Sequence, residues 1–188
     1  MINALHVPVL AKESTKALVT ASEGSYLDAT AGFGGHTQLI LNSLDNQGHL
    51  IAADRDQDSI AYLKSKFSHP QLTILKSNFR GLREEINKSH HAFAFDGIIA
   101  DLGVSSHQLD SKDRGFSFKK DAELDMRMDQ STGISAKDWI STAAEDEISG
   151  VIWKYGEDSY SRKIAKAIIE QRKIKSFNST LELSLIHI

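Results

Sequence analysis

The stretch Asp28-Ala29-Thr30-Ala31-Gly32-Phe33-Gly34-Gly35-His36-Thr37 decides the fold. It follows a short apolar run, Tyr26-Leu27, and precedes a helical pattern that begins near Gln38. Strand, glycine-rich turn and helix, in that order, let a ligand lie against bare backbone at a helix N-terminus. A second apolar run, Leu50-Ile51-Ala52-Ala53, ends in Asp54. An acid at that distance from the turn is placed to accept hydrogen bonds from the two hydroxyls of a ribose. Together the two features point to a nucleoside-containing ligand.

Working outward, four short strands are expected at Ser25–Asp28, His49–Ala53, Leu72–Leu75 and Phe95–Asp101. They are apolar throughout and do not alternate, as parallel strands covered by helices on both faces do. Helices are expected over Lys12–Ala21, Thr37–Leu44, Gln57–Phe67 with Asp56 as N-cap, and Arg80–Lys88. His6-Val7-Pro8-Val9-Leu10 reads as an extended lead-in, because Pro8 disfavours helix at Val7. Alternation of this kind gives an α/β fold, a Rossmann-like, doubly wound parallel sheet.

After Asp101 the pattern changes, and no convincing strand follows. A charged, irregular stretch from Asp110 to Asp129 contains Arg114-Gly115-Phe116-Ser117-Phe118 and Leu124-Asp125-Met126-Arg127-Met128-Asp129. Helices are then expected. Ser135-x-x-Asp138 and Thr142-x-x-Glu145 resemble capping boxes, Gly156 stands where a C-terminal cap would fall, and Tyr160, Ile164, Ala167, Ile168 and Gln171 share a helical spacing. The division expected is a sheet-containing core over 1–105, a helical subdomain over 106–182, and a non-native tail over 183–188 that reads like an adapter-derived peptide. Four strands are few for this architecture, so the later strands of the sheet are expected in a longer chain.

Composition narrows the function classes. The chain has 188 residues, no cysteine and a net charge of −3. Disulfides and thiolate zinc sites are therefore excluded, and a cytoplasmic setting fits. No apolar run approaches the ~20 residues of a membrane span. His90 and His91 are adjacent, a poor spacing for a metal site, and no metal is expected. Charge is uneven: residues 159–177 carry a local +5, which suits either a solvated helix face or a phosphate-binding stripe.

Gly32-x-Gly34-x-x-Thr37 departs from the dinucleotide fingerprint, since threonine replaces the third glycine. This counts against a nicotinamide-dependent oxidoreductase, the rival enzyme class. Phe79 follows the third strand and can stack on or wall off an adenine; Asp101 closes the fourth beside the point where strand order reverses.

Taken in order, His6–Leu10, Asp28–Thr37, Asp96–Ser106, Gln108-Leu109-Asp110, Arg114–Phe118 and Leu124–Asp129 resemble the RsmH family (also MraW). The pairing of Asp101-Leu102-Gly103-Val104-Ser105-Ser106 with Leu124–Asp129 is the specific part. The resemblance implies a class I methyltransferase core, interrupted after its fourth strand by a helical insertion that helps hold RNA. It implies S-adenosylmethionine as cofactor and N4 of a cytosine in 16S ribosomal RNA of the small subunit as target. By position it implies cofactor contacts at Gly34, Gly35, His36, Asp54, Phe79, Asp101 and Gln108. One departure stands out: many amino-group methyltransferases carry Asn/Asp-Pro-Pro-aromatic after the fourth strand, where this chain has Asp-Leu-Gly-Val. Other readings are a methyltransferase with a different substrate, or a fragment inactive by itself.

Overall fold

A computed structural model describes residue 8, residues 10–88 and residues 94–184. The lead-in residues other than Pro8 and Leu10, the pair His90 and His91, and the last part of the expected tail lie outside these. The chain divides into two compact units between Gly103 and Val104.

In the first unit the elements run α1 (Ala11–Leu18), β1 (Ser25–Asp28), α2 (Gly35–Leu41), β2 (His49–Asp54), α3 (Gln57–Lys66), β3 (Leu72–Lys76), α4 (Leu82–Lys88) and β4 (Gly97–Ile99). The four strands form one parallel sheet in the order β3-β2-β1-β4. The chain therefore winds outward through three strands and returns to add β4 on the other side of β1. This reversal opens a crevice at the carboxyl ends of β1 and β4, where ligands of open α/β sheets bind.

Alternate residues of the central strands face opposite layers. Leu27, Ile51 and Ala53 pack with Leu82 of α4. On the other face Tyr26 and Leu50 pack with Ile40 and Leu41 of α2, and Ala52 packs with Ile60 and Leu63 of α3. Each large aliphatic side chain buried in this way contributes about 1.5–3 kcal/mol. The apolar runs of β1 and β2 are thus explained by helices on both faces.

Several ends differ from expectation for identifiable reasons. Helix α1 stops at Leu18 rather than Ala21, because the Tyr26 hydroxyl accepts from the Thr20 and Ala21 N–H groups and donates to the Ala21 carbonyl. Helix α2 starts at Gly35 rather than Thr37, with left-handed Gly34 as its N-cap. Strand β4 is shorter than the apolar run that suggested it: the Asp101 N–H turns out of the ladder to the Thr30 hydroxyl at 2.7 Å. Ile98, on this edge strand, is 60% exposed.

The second unit is helical: α5 (Ser106–Asp110), a 3-10 turn over Lys112–Arg114, α6 (Ala136–Thr142), α7 (Glu145–Gly156), α8 (Ser161–Ile174) and α9 (Thr180–Ser184). Its core is Leu124, Ile140, Ala143, Ile148, Ile164, Ala165, Ile168 and Phe177, with Leu183 packed against it. Leu183 had been expected in the tail. Beyond the helices, the described residues add only an isolated antiparallel bridge between Glu123 and Ser179.

Ser135 caps α6 as expected, accepting from the Asp138 N–H at 3.0 Å. The second capping box is corrected. Thr142 ends α6, with its hydroxyl turned back to the Asp138 carbonyl, and Glu147 instead accepts from the Ala144 N–H at the start of α7. Gly156 remains helical, and Glu157 takes the left-handed cap at φ 53°. The buried face of α8 is Ser161, Ile164, Ala165 and Ile168; Tyr160 and Gln171 are exposed.

The irregular segment between α5 and α6 is organised by one buried cation. Arg114, 2% exposed, donates through Nη2 to the Arg127 and Met128 carbonyls at 3.1 and 2.7 Å. Its own carbonyl accepts from the Met126 N–H, fixing Met126 in a left-handed conformation at φ 61°. Asp125 is gripped by Arg127 through Nε and Nη2 at 3.0 and 2.7 Å, which holds its carboxyl below the usual range. Gly115 permits the fold-back, since a Cβ there would lie 2.5 Å from the Glu123 carbonyl oxygen.

Candidate functional site

Three carboxylates close three neighbouring strands around the glycine-rich turn: Asp28 on β1, Asp54 on β2, and Asp101 just beyond β4. The turn is fixed by backbone conformation. Gly32 and Gly34 have φ of 51° and 84°, and a Cβ on Gly34 would lie 2.5 Å from the Phe67 ring. Gly34 is thereby confined to glycine, and the left-handed φ of Gly32 favours it there. The turn is tied to the sheet by the Ala31 N–H, which donates to the Ala53 carbonyl at 3.0 Å.

Asp54 holds the turn from the β2 side. Its Oδ2 accepts from the Gly32 N–H and its Oδ1 from the Asp56 N–H, both at 2.8 Å. Burial pushes its carboxyl up, and these two N–H groups pull the other way. Each carboxylate oxygen has a further lone pair, so the group retains acceptor capacity for two hydroxyls.

Asp28 is fully buried. The Thr37 hydroxyl donates to its Oδ2 at 2.8 Å, and the Thr30 N–H donates to its Oδ1 at 3.3 Å. Burial pushes its carboxyl up to about 6, with Asp54 and Asp101 adding to the rise as like charges. Asp28 was not among the expected site residues. Thr37, notable in the sequence only for replacing the third glycine, has a partner of its own in Asp28. The available signal was the repeated acid at strand ends. Thr30 joins the pieces, because its N–H serves Asp28 while its hydroxyl accepts from the Asp101 N–H.

The other expected residues are placed as follows. Gly34 caps α2, and Gly35 and His36 form its first turn. The His36 ring is buried, with Nε2 lacking a hydrogen-bond partner among the described residues. Burial lowers its basicity, opposed by the nearby Asp101 carboxylate. Asp101 is exposed, and Phe79, past the end of β3, is 59% exposed. Exposure of so large a ring beside the strand ends leaves a flat apolar surface available to a ligand. Gln108 lies in the second unit, where it completes a capping box with Ser105: its Oε1 accepts from the Ser105 N–H, and the Ser105 hydroxyl accepts from the Gln108 N–H. None of the described helices is long and apolar enough to cross a membrane.

The set of groups suits a cationic nucleoside ligand. Three acids cluster around the glycine-rich turn, one has lone pairs to spare for hydroxyls, and a buried ring nitrogen has no hydrogen-bond partner among the described residues.

A protein named ribosomal RNA small subunit methyltransferase H from Thiobacillus denitrificans is 48% identical over 179 residues, 95% of this chain and 57% of that protein. Proteins of the same name from Ruthia magnifica and Caldicellulosiruptor saccharolyticus are 45% and 44% identical, again over 95% of this chain and 58% of theirs. The chain thus spans a little under three-fifths of the length of these relatives. With residues 3–187 matched by the family model, the chain belongs to the MraW methylase family.

Proposed function

We propose that this chain carries the cofactor-binding part of a methyltransferase that transfers a methyl group from S-adenosylmethionine to N4 of a cytosine in 16S ribosomal RNA. The observation that carries the reading is the convergence of Asp28, Asp54 and Asp101 on the glycine-rich turn. When bound, S-adenosylmethionine supplies a methyl group activated by its sulfonium.

The chain's own task is positioning. Asp54 accepts hydrogen bonds from the ribose hydroxyls. The backbone of Gly34, Gly35 and His36 lies along the methionine part, and Phe79 against the adenosine. Asp101 completes the pocket at the end of β4. Asp28 stays behind the turn and holds Thr30 and Thr37, so that the turn and the Asp101 backbone keep their places. In-line transfer needs the reacting atoms within about 3–3.5 Å and water kept out.

Cytosine N4 is a weak nucleophile because its lone pair is delocalised into the ring. An acceptor beside the NH2 group draws out a proton and frees that pair. Asp101, exposed at the mouth of the crevice, is the acceptor this chain offers. The target base must leave its stack to reach it.

The test is transfer of labelled methyl groups to small ribosomal subunits lacking the modification, followed by nucleoside analysis. The expected product is N4-methylcytidine, and Asp101→Ala abolishes it. Near-normal turnover by Asp101→Ala with unchanged cofactor affinity, or a label on another base, overturns the assignment.

A further inference from the structure

The helical unit contains a surface that the cofactor site does not use. Trp153, Tyr155 and Tyr160 are 61%, 73% and 61% exposed, although large aromatic rings are ordinarily sheltered. They flank the sharp corner between α7 and α8, where Glu157 is held in a left-handed conformation. Lysines lie over two of the rings: Lys154 Nζ is 5.1 Å from the Tyr155 centroid, and Lys163 Nζ 5.3 Å from that of Tyr160.

From this corner a cationic row runs along α8. Arg162, Lys166 and Lys173 recur at helical spacing on one face and are exposed. Over that interval the helix rises about 16 Å, room for a few phosphates of an extended strand. Lys166 has one weak partner, Glu170 at 3.9 Å with both side chains mostly in solvent.

The row ends at a recess of about 220 Å³ lined by Lys137, Ser141, Arg172, Lys173, Ser176 and Phe177 among others, none of them acidic. Arg172 is preset there: its Nη1 donates to the Ile140 and Ala143 carbonyls at 2.8 and 2.7 Å. The rest of its guanidinium fork remains for an anion.

We infer that α8 and the corner before it form a docking track for unpaired RNA, in which bases stack on Tyr155 and Tyr160 and the strand's phosphates follow Arg162, Lys166 and Lys173 into the Lys137–Arg172 recess. Stacking surfaces interleaved with cations are what single strands need, since every base has a flat face and every linkage a charge. A duplex hides those faces, and its charge alone would not call for exposed rings. The inference rests on the RNA substrate proposed above and extends it to the part of the substrate outside the reacting base.

The test is anisotropy of a labelled uracil-rich single strand with the whole chain, over a range of salt, beside a duplex of equal length. Tyr155→Ala and Tyr160→Ala are each expected to weaken single-strand binding about tenfold, while Tyr160→Phe, which keeps the ring, is expected to retain it. Converting Arg162, Lys166 and Lys173 together to glutamine is expected to lower the slope of log affinity against log salt by about 2.

Single-strand affinity unmoved by these changes, equal losses on the duplex, or a loss in Tyr160→Phe matching that in Tyr160→Ala overturns the track. S-adenosylmethionine titrated into the same variants separates the two claims. Failure of the cofactor to bind the parent chain defeats the proposed function; unchanged RNA affinity in variants that bind cofactor defeats the track alone.

Discussion

The two units use charge in opposite ways. In the sheet-containing unit, acids are drawn inward, to the ends of β1 and β2, where backbone N–H groups and a threonine hydroxyl hold them in place. In the helical unit, one buried arginine shapes the irregular segment, and a row of exposed cations lines the outside of α8. A site for a small cationic ligand needs fixed, partly dehydrated acceptors, whereas a surface for a polyanion needs solvated, adaptable donors. The same chain therefore combines a rigid turn, intolerant of substitution, with a tolerant outer face.

The largest expected effect breaks the rigid side. Gly34→Ala places a methyl against the Phe67 ring on a left-handed backbone. The strain of about 1–2 kcal/mol and overpacking of about 1–3 kcal/mol together destabilise the first unit by roughly 4 kcal/mol. Thermal denaturation should show the loss, with cofactor affinity falling alongside it.

Asp28 sharpens the contrast through pH. Its carboxyl rises from 3.8 to about 6 on folding, so the folded chain holds a proton that the unfolded chain has released. The contribution is full below 3.8, is lost as pH rises through about 6, and is flat above. Asp28→Asn should remove this dependence, so the stability lost between pH 4 and 7 in denaturant titrations should be about 2 kcal/mol smaller in the variant, taking 1.36 kcal/mol per pKa unit. An unchanged pH dependence would show that Asp28 is not the titrating group.

Arg114→Met leaves the Arg127 and Met128 carbonyls without their buried donor. A cost of about 2 kcal/mol is expected, confined to the helical unit. Hydrogen exchange should rise over 124–129 while the glycine-rich turn stays protected. The smallest effect belongs to Arg172→Gln, which removes two bonds to the end of α6 and should cost about 1 kcal/mol. Faster exchange at the end of α6 would register it.

These contrasts also explain what was legible in the sequence. Strands β1 and β2, helix α3 and the Asp56 cap follow from local signals: apolar runs without alternation, and an acid just before a helical period. Asp54 and Asp101 stood out because a charge ending an apolar run is costly unless it has a use. Thr37 and Asp28 were less visible, since their bond spans the turn and depends on the turn's shape. The register of the α7 cap went astray because Thr142-x-x-Glu145 and Ala144-x-x-Glu147 compete locally, and packing of Ile140, Ala143 and Ile148 selects the second. Gly156 was the natural candidate for a positive φ, but the chain places it on Glu157. Arg114 was hidden in a charged stretch, where burial of one cation among many leaves no mark in the sequence.

The central claim is that Asp54 receives the ribose of S-adenosylmethionine in the crevice beside the glycine turn, and calorimetry tests it most directly. Asp54→Asn should weaken S-adenosylmethionine binding by roughly tenfold to a hundredfold, the scale of hydrogen bonds to a charged group. It should leave the affinity for an analogue without ribose hydroxyls much less affected, because that ligand makes no use of the carboxylate. Equal losses for the two ligands, or an Asp54→Asn chain that binds S-adenosylmethionine as tightly as the parent, would contradict it.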